Sequence, residues 1–408
     1  MVLPPENPVK APDVPSSPAH PARLILVLSL APAIGLGIGR FAYSLLLPDM
    51  RDTLGWSYSA AGFMNTINAA GYLAGALTAS KLVNRFGLSA AVRWGTLACI
   101  VALVLSAVSA NFVVLSFARL LVGFGAAVAF VAGGALAATI AQSRPERASF
   151  LLGLFYAGPG LGILASGLFA PFLLQGFGTG SWWIVWLALA LFSMVMALPL
   201  LVTAIDARAG LANAAPVKFR IRPVLIYLVS YFMFGAGYIA YMTFMIAYVR
   251  DAGGSAVAQS AFWCLIGMSA FASPWVWRDV LARGRSGSAA AIILGVNAVG
   301  AIMPLFGHSA LLLASSALVF GVAFFAVVAS TTAFIRFNYP PAEWPKGIAA
   351  MTIVFGVGQT LGPFVVGAIT DAMGSLSYAL SVSAATLALG AVLAAFQRPL
   401  GGAETKLN

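Results

Sequence analysis

Twelve stretches of about 20 or more mostly apolar residues divide this chain, each bounded by polar residues, Gly or Pro. They lie near 24–48, 58–83, 89–109, 112–140, 149–175, 181–203, 223–249, 257–281, 288–307, 309–336, 347–371 and 377–396. A helix of about 20 residues matches the hydrocarbon thickness of a bilayer. Inside hydrocarbon the backbone must satisfy its own hydrogen bonds, which leaves only helices and closed barrels. Uninterrupted apolar runs of this length read as helices. The expected fold is therefore all-α and integral to a membrane, with twelve transmembrane helices.

Composition excludes the main alternatives. Of the 408 residues, 61% are hydrophobic and 8% are charged, whereas soluble chains carry about 25% charged residues. A soluble enzyme, a nucleic-acid-binding protein and a disordered chain are all excluded on this ground. The net charge of +11 has a membrane explanation, because basic residues collect in cytoplasmic loops. With the N-terminus inside, every Lys and Arg falls on the cytoplasmic side except four. Arg51 and Arg250 fall in outer loops, and Arg40 and Arg119 lie inside spans. This bias predicts an even number of spans and two cytoplasmic termini. Trp182, Trp183 and Trp186 are expected to form an aromatic belt at the outer end of the sixth span.

Residues 1–22 hold seven prolines and almost no large apolar side chain, so they read as a disordered cytoplasmic tail. Cys99 and Cys264 sit in apolar runs, and His20 and His308 are far apart. Neither a disulfide framework nor a metal site follows from them, and no cofactor is implied.

The chain repeats itself at an offset of about 200 residues. Gly35 and Gly37 match Gly235 and Gly237; Phe155, Gly158, Leu161, Gly162 and Gly167 match Phe355, Gly358, Leu361, Gly362 and Gly367. The expected organisation is two pseudo-symmetric six-helix halves, 23–203 and 223–397. A cytoplasmic linker at 204–222 joins them, and a second tail spans 398–408. Parallel repeats of this kind place a substrate site near the midplane between the halves.

Arginine within a span costs several kcal/mol unless it is paired or faces a wet cavity. Arg40 lies eight residues before Pro48, and Arg119 eight residues after Asn111. Each is thus about 12 Å below the outer edge, at a common depth. Guanidinium groups grip carboxylate or phosphate with paired N–H donors, so the two point to an anionic solute. Alternatively, Arg119 bonds backbone carbonyls or Asn side chains. Tyr43 follows Arg40 on the same span. Asn65, Asn68 and Tyr72 share one helix face, where the two Asn either bind substrate or satisfy Arg40. Tyr231, Phe234, Tyr238 and Tyr241 form an aromatic stripe on span seven, and Gln359 is a polar group near the midplane of span eleven. A binding role for Tyr238 and Tyr241 implies an apolar or aromatic body beside the charge. Asn297 in span nine is a weaker polar candidate. No Asp, Glu or His falls well inside a span. Proton or counter-ion coupling must then use Asp49 near a span end, use the substrate itself, or be absent.

Ser80-x-x-x-Asn84-Arg85-x-Gly87 follows span two, Arg119-x-x-x-Gly123-x-Gly125 lies in span four, and Gly158-Pro159-Gly160-Leu161-Gly162 in span five. These patterns resemble the loop, Arg and Gly-Pro signatures of the major facilitator superfamily, over about 24–396. Ser80 and Asn84 replace the signature's Gly and Asp, so Arg85 and Gly87 are the elements that carry over. Gly37-Ile-Gly39-Arg40-Phe41-Ala42-Tyr43 and Asn65-Thr66-Ile67-Asn68 resemble the YbfB/YjiJ-type branch. The resemblance implies the major facilitator fold, with spans one, four, seven and ten lining the cavity. It also implies a monomeric transporter in a bacterial inner membrane, working by alternating access. Asn84, Arg85, Gly87, Gly158, Pro159 and Gly162 are the expected gating or hinge positions. The expected solute is a small organic anion; efflux of drugs or other amphipathic compounds is the rival. A membrane enzyme fits poorly because no catalytic cluster is legible, and a channel because two pseudo-symmetric halves with midplane charges suit alternating access better than an open pore.

Overall fold

The computed structural model describes residues 20–205, 220–340 and 343–400. Most of the expected tails (1–22 and 398–408) and linker (204–222) lies outside the described residues. The remainder folds as helices, as an apolar solvent demands. In order they are α1 (Pro21–Leu54), α2 (Tyr58–Phe86), α3 (Leu88–Val108), α4 (Phe112–Gln142), α5 (Ala148–Phe177) and α6 (Trp182–Val202). Then come α7 (Leu225–Asp251), α8 (Ala256–Val276), α9 (Ser288–Phe306), α10 (Ala310–Asn338), α11 (Trp344–Met373) and α12 (Leu376–Ala395).

Among the described residues, eleven of these helices are long and apolar enough to cross a membrane. The other is α2. It has 29 residues but carries Asn65, Asn68, Lys81, Asn84 and Arg85. The helix starts are fixed by side-chain caps. Ser57 Oγ accepts the Ala60 N–H at 3.1 Å, and Asn111 Oδ1 accepts the Val113 N–H at 2.9 Å. Gly55 ends α1 at φ 66° and Gly87 separates α2 from α3 at φ 87°, a region that strains any other side chain. These two turns mark the opposite ends of the bundle.

Packing repeats with the sequence. α2 and α3 pack on α4, and α8 and α9 pack on α10. α1 packs on α5, and α7 on α11. The two broad contacts between the first six and last six helices, α2 with α11 and α5 with α8, exchange with each other under the repeat. The outward faces are apolar: Leu191, Val195 and Val202 of α6 are all well exposed, as a lipid-facing surface requires. One expectation needs correction. Trp182 and Trp186 are buried and only Trp183 is exposed, so the three do not form a belt. Consecutive and i+4 positions cannot all face outward on a helix whose other side packs on a neighbour.

α1 is not a regular helix. Residues Ala33–Phe41 form a π-helical stretch between two α-helical pieces. Its glycines are dictated by contact. A Cβ on Gly37 would lie 2.5 Å from both Gly162 Cα and the Pro159 carbonyl oxygen of α5. α5 breaks in turn at Ala157, because Pro159 has no N–H to continue the helical ladder.

Candidate functional site

The π-helical stretch positions the site. Where π turns give way to α turns, carbonyls drop out of the regular ladder, and Arg119 of α4 collects two of them. Its Nη1 donates to the Gly39 carbonyl at 2.7 Å. Its Nη2 donates to the Arg40 carbonyl at 2.9 Å and to Asn65 Oδ1 at 2.8 Å. The guanidinium also lies 4.7 Å from the Tyr43 ring centroid. Tyr43 OH donates to the Ala61 carbonyl at 2.9 Å. Asn65 Nδ2 donates to Thr243 Oγ1 of α7 at 2.7 Å, and Asn68 Nδ2 to the Arg119 carbonyl at 2.8 Å. Both asparagines therefore serve Arg119, not Arg40.

With its backbone held this way, Arg40 points towards α7 and α11. It is 3% exposed. Its Nη2 donates to Gln359 Oε1 at 2.6 Å and to Tyr238 OH at 3.2 Å. Tyr238 OH donates to the same Gln359 oxygen at 3.0 Å. The three form a closed triangle joining α1, α7 and α11. Around it stand aromatic rings. Arg40 Cζ is 5.0 Å from the Tyr72 centroid and 5.4 Å from that of Phe41. The Tyr238 ring stacks on Phe324 at 5.4 Å and on Phe355 at 5.6 Å.

The charge balance is one-sided. Among the described residues no carboxylate lies within ion-pair distance of Arg40 or Arg119, and arginine does not deprotonate in proteins. Four buried polar atoms here also lack a partner: Arg40 Nε, Arg119 Nε, Asn68 Oδ1 and Gln359 Nε2.

Other sequence candidates fall elsewhere. Tyr241 OH pairs with Ser316 Oγ at 2.6 Å, and its ring stacks on Phe320 at 3.9 Å, so it belongs to α7–α10 packing. Asn297 Nδ2 donates to the Phe320 carbonyl at 3.0 Å. Gly158, Pro159 and Gly162 are buried against α1. Asn84, Arg85 and Gly87 are exposed at the far end of α2. Asp49 accepts the Gly180 and Trp182 N–H groups at 2.8 and 3.0 Å, which ties α1 to the start of α6. Among the described residues no His, Cys, Asp and Glu cluster is suited to a metal ion.

Sequence reasoning missed a second cluster, at the Gly55 end. Arg250 pairs with Asp52 at 2.8 Å, and Tyr58 OH donates to Asp251 at 3.0 Å. Asp371 accepts the Tyr58 and Ser59 N–H groups, each at 2.8 Å, and the Ser59 hydroxyl as well. Each of these bonds joins the first six helices to the last six. A signal was present: Arg51-Asp52 and Arg250-Asp251 end α1 and α7 at matching places in the repeat.

Comparison with known proteins follows the same lines. No curated protein matches the chain in sequence. Among solved structures, the chain is similar to a bacterial homologue of the human lysosomal transporter Spinster, in an inward-facing and occupied conformation. The TM-score is 0.66 at 16% identity, covering 93% of this chain and 97% of that one. It is also similar to a variant of the nucleoside transporter NupG, with a TM-score of 0.70 at 15% identity, covering 90% of this chain and 98% of that one. At such identities the likeness is one of fold. The sequence profile described as "Uncharacterised MFS-type transporter YbfB" matches residues 32–395. The chain therefore belongs to the YbfB family of the major facilitator superfamily, as a secondary-active, alternating-access membrane transporter of a small solute.

Proposed function

We propose that this transporter carries a small organic anion and that Arg40 is its anion-recognition residue. One observation carries the reading: a buried guanidinium at the junction of α1, α7 and α11 has only neutral hydrogen-bond partners. Burying an uncompensated charge is costly, and an arriving anion offsets that cost. The partners of Arg40 lie 198 and 319 residues away. A ligand that joins them is felt by both parts of the molecule, as alternating access requires. Arg119, Asn65, Asn68 and Tyr43 hold the backbone that presents Arg40.

In the same reading α2 is the twelfth span, its two asparagines turned onto α4 and α7 and its charged residues gathered at the Gly87 end. Residues 23–203 and 223–397 are the two six-helix halves, joined by the linker at 204–222. The Gly55 end faces outward, and the Gly87 end and both termini lie in the cytoplasm of a bacterial cell, on the side rich in Arg and Lys. The transporter works as a monomer in the inner membrane.

The ring wall of Tyr72, Tyr238, Phe324 and Phe355 favours a second reading, export of uncharged amphipathic compounds. Substrate charge separates the two. The purified protein is heated with mono- and dicarboxylates, phosphates and amphipathic drugs, beside an Arg40→Ala variant. A ligand that binds only the folded state raises the apparent Tm. Stabilisation of the wild type, and not the variant, by a carboxylate or phosphate supports anion transport. Stabilisation of both by neutral or cationic amphipaths alone replaces that reading with efflux.

A further inference from the structure

Two of the unpartnered atoms are donors on side chains that already touch. Arg40 Nε–H and the Gln359 Nε2 amide both lack acceptors. Their residues are 3% and 0% exposed and are joined by the 2.6 Å bond from Arg40 Nη2 to Gln359 Oε1. Unpaired buried donors are rare and costly. Since both are donors, what completes them is an acceptor. We infer that the transported anion is a monocarboxylate with a planar apolar body, its carboxylate bridging Arg40 Nε–H on α1 and Gln359 Nε2–H on α11. This rests on the anion reading above and makes Gln359 its specificity-determining residue.

Charge and shape select this class. Both Nη atoms of Arg119 are committed to carbonyl and amide oxygens, so one guanidinium faces the ligand. One charge matches a monoanion. A second negative charge would be desolvated with no further cation in contact. A planar guanidinium edge beside an amide N–H presents donors in the arrangement a carboxylate accepts. The Tyr72 and Phe41 rings, 5.0 and 5.4 Å from Arg40 Cζ, suit a flat apolar body. In the present arrangement Gln359 Oε1 and Tyr238 OH accept from Arg40 Nη2, and the carboxylate enters beside them, on the free Arg40 Nε–H and Gln359 Nε2–H.

The test uses the full chain in detergent, with benzoate, inorganic phosphate and benzyl alcohol as probes, read by thermal shift and titration calorimetry. Benzoate is expected to bind the wild type, and phosphate and benzyl alcohol are not. Gln359→Leu, which removes the amide donor, is expected to weaken benzoate at least tenfold. Gln359→Glu keeps the side-chain shape and sets a fixed carboxylate against Arg40. It is expected to abolish benzoate binding and raise the Tm of the ligand-free protein. Binding of phosphate in place of benzoate, or unchanged benzoate affinity in Gln359→Leu alongside its loss in Arg40→Ala, overturns this inference and leaves the anion reading standing. If no anion binds the wild type, both fall. If Gln359→Leu does not fold, Gln359→Glu decides: retained benzoate affinity there overturns the proposal.

Discussion

Asp371 accepts the backbone N–H of Ser59 at 2.8 Å from a position 312 residues further along the chain. The carboxylate caps the first turn of α2, where helix N–H groups lack partners of their own. It comes from a different part of the molecule and so ties the α2 start to the α11 end. Asp371→Asn retains the size but loses the charge. Its hydrogen bonds to a charged acceptor are worth about 1.5–3 kcal/mol each in a protein interior and less at a partly exposed site. The expected result is a lower Tm and a more open Gly55 end. Spin labels at Phe177 and Val257, both exposed at that end, should gain a longer distance component in the variant.

The Asp52–Arg250 pair is weaker. Its side chains are 40% and 30% exposed, and exposed pairs contribute about 0.2–1 kcal/mol. Asp52→Arg and Arg250→Asp should each open the Gly55 end, and the double exchange should restore the wild-type distance distribution. At about 1 M salt the single variants should approach the wild type, because charges separated by more than roughly 3 Å of water are then screened.

Arg40 and Arg119 should respond differently to the same substitution. Arg119→Lys cannot reach the Gly39 and Arg40 carbonyls and Asn65 together. Breaking a buried charged network costs about 3–5 kcal/mol, so a large fall in Tm is expected. Arg40→Lys keeps its charge but loses the planar edge. Its Tm should fall less, and anion affinity should drop by about tenfold or more. Thermal melts with and without ligand separate the two effects.

Gly37→Ala should disrupt the α1–α5 contact, since the new methyl would meet Gly162 and Pro159 at 2.5 Å. Gly176→Ala is the control, with nothing within 4 Å of its added methyl. Size-exclusion profiles and Tm should show loss for the first and no change for the second.

The helices were legible because lipid imposes length and apolarity on every span. The expected 58–83 and 112–140 became Tyr58–Phe86 and Phe112–Gln142. Arg40, Tyr238 and Gln359 were legible as polar groups in apolar surroundings, and the structure brings them together. Which arginine would face neutral side chains and which would take backbone was not legible. That depends on carbonyls released by the π-helical stretch, and glycine and proline do not spell out its hydrogen bonding. The acidic groups at the Gly55 end sit in short polar turns, where pattern shows exposure but not partners.

The wide turns of Ala33–Phe41 have a consequence for direction. Side chains before and after them no longer follow one screw. α7 has no such interruption through Leu225–Asp251, so residues 200 apart in the two repeats point differently around their axes. Rewinding Ala33–Phe41 as regular α-helix with no residue removed would swing the Arg40 face by about 100°. Span length and composition would be preserved, and the guanidinium would be turned away from Tyr238 and Gln359. In this carrier the azimuth of a single helix decides whether the same residues make a binding site.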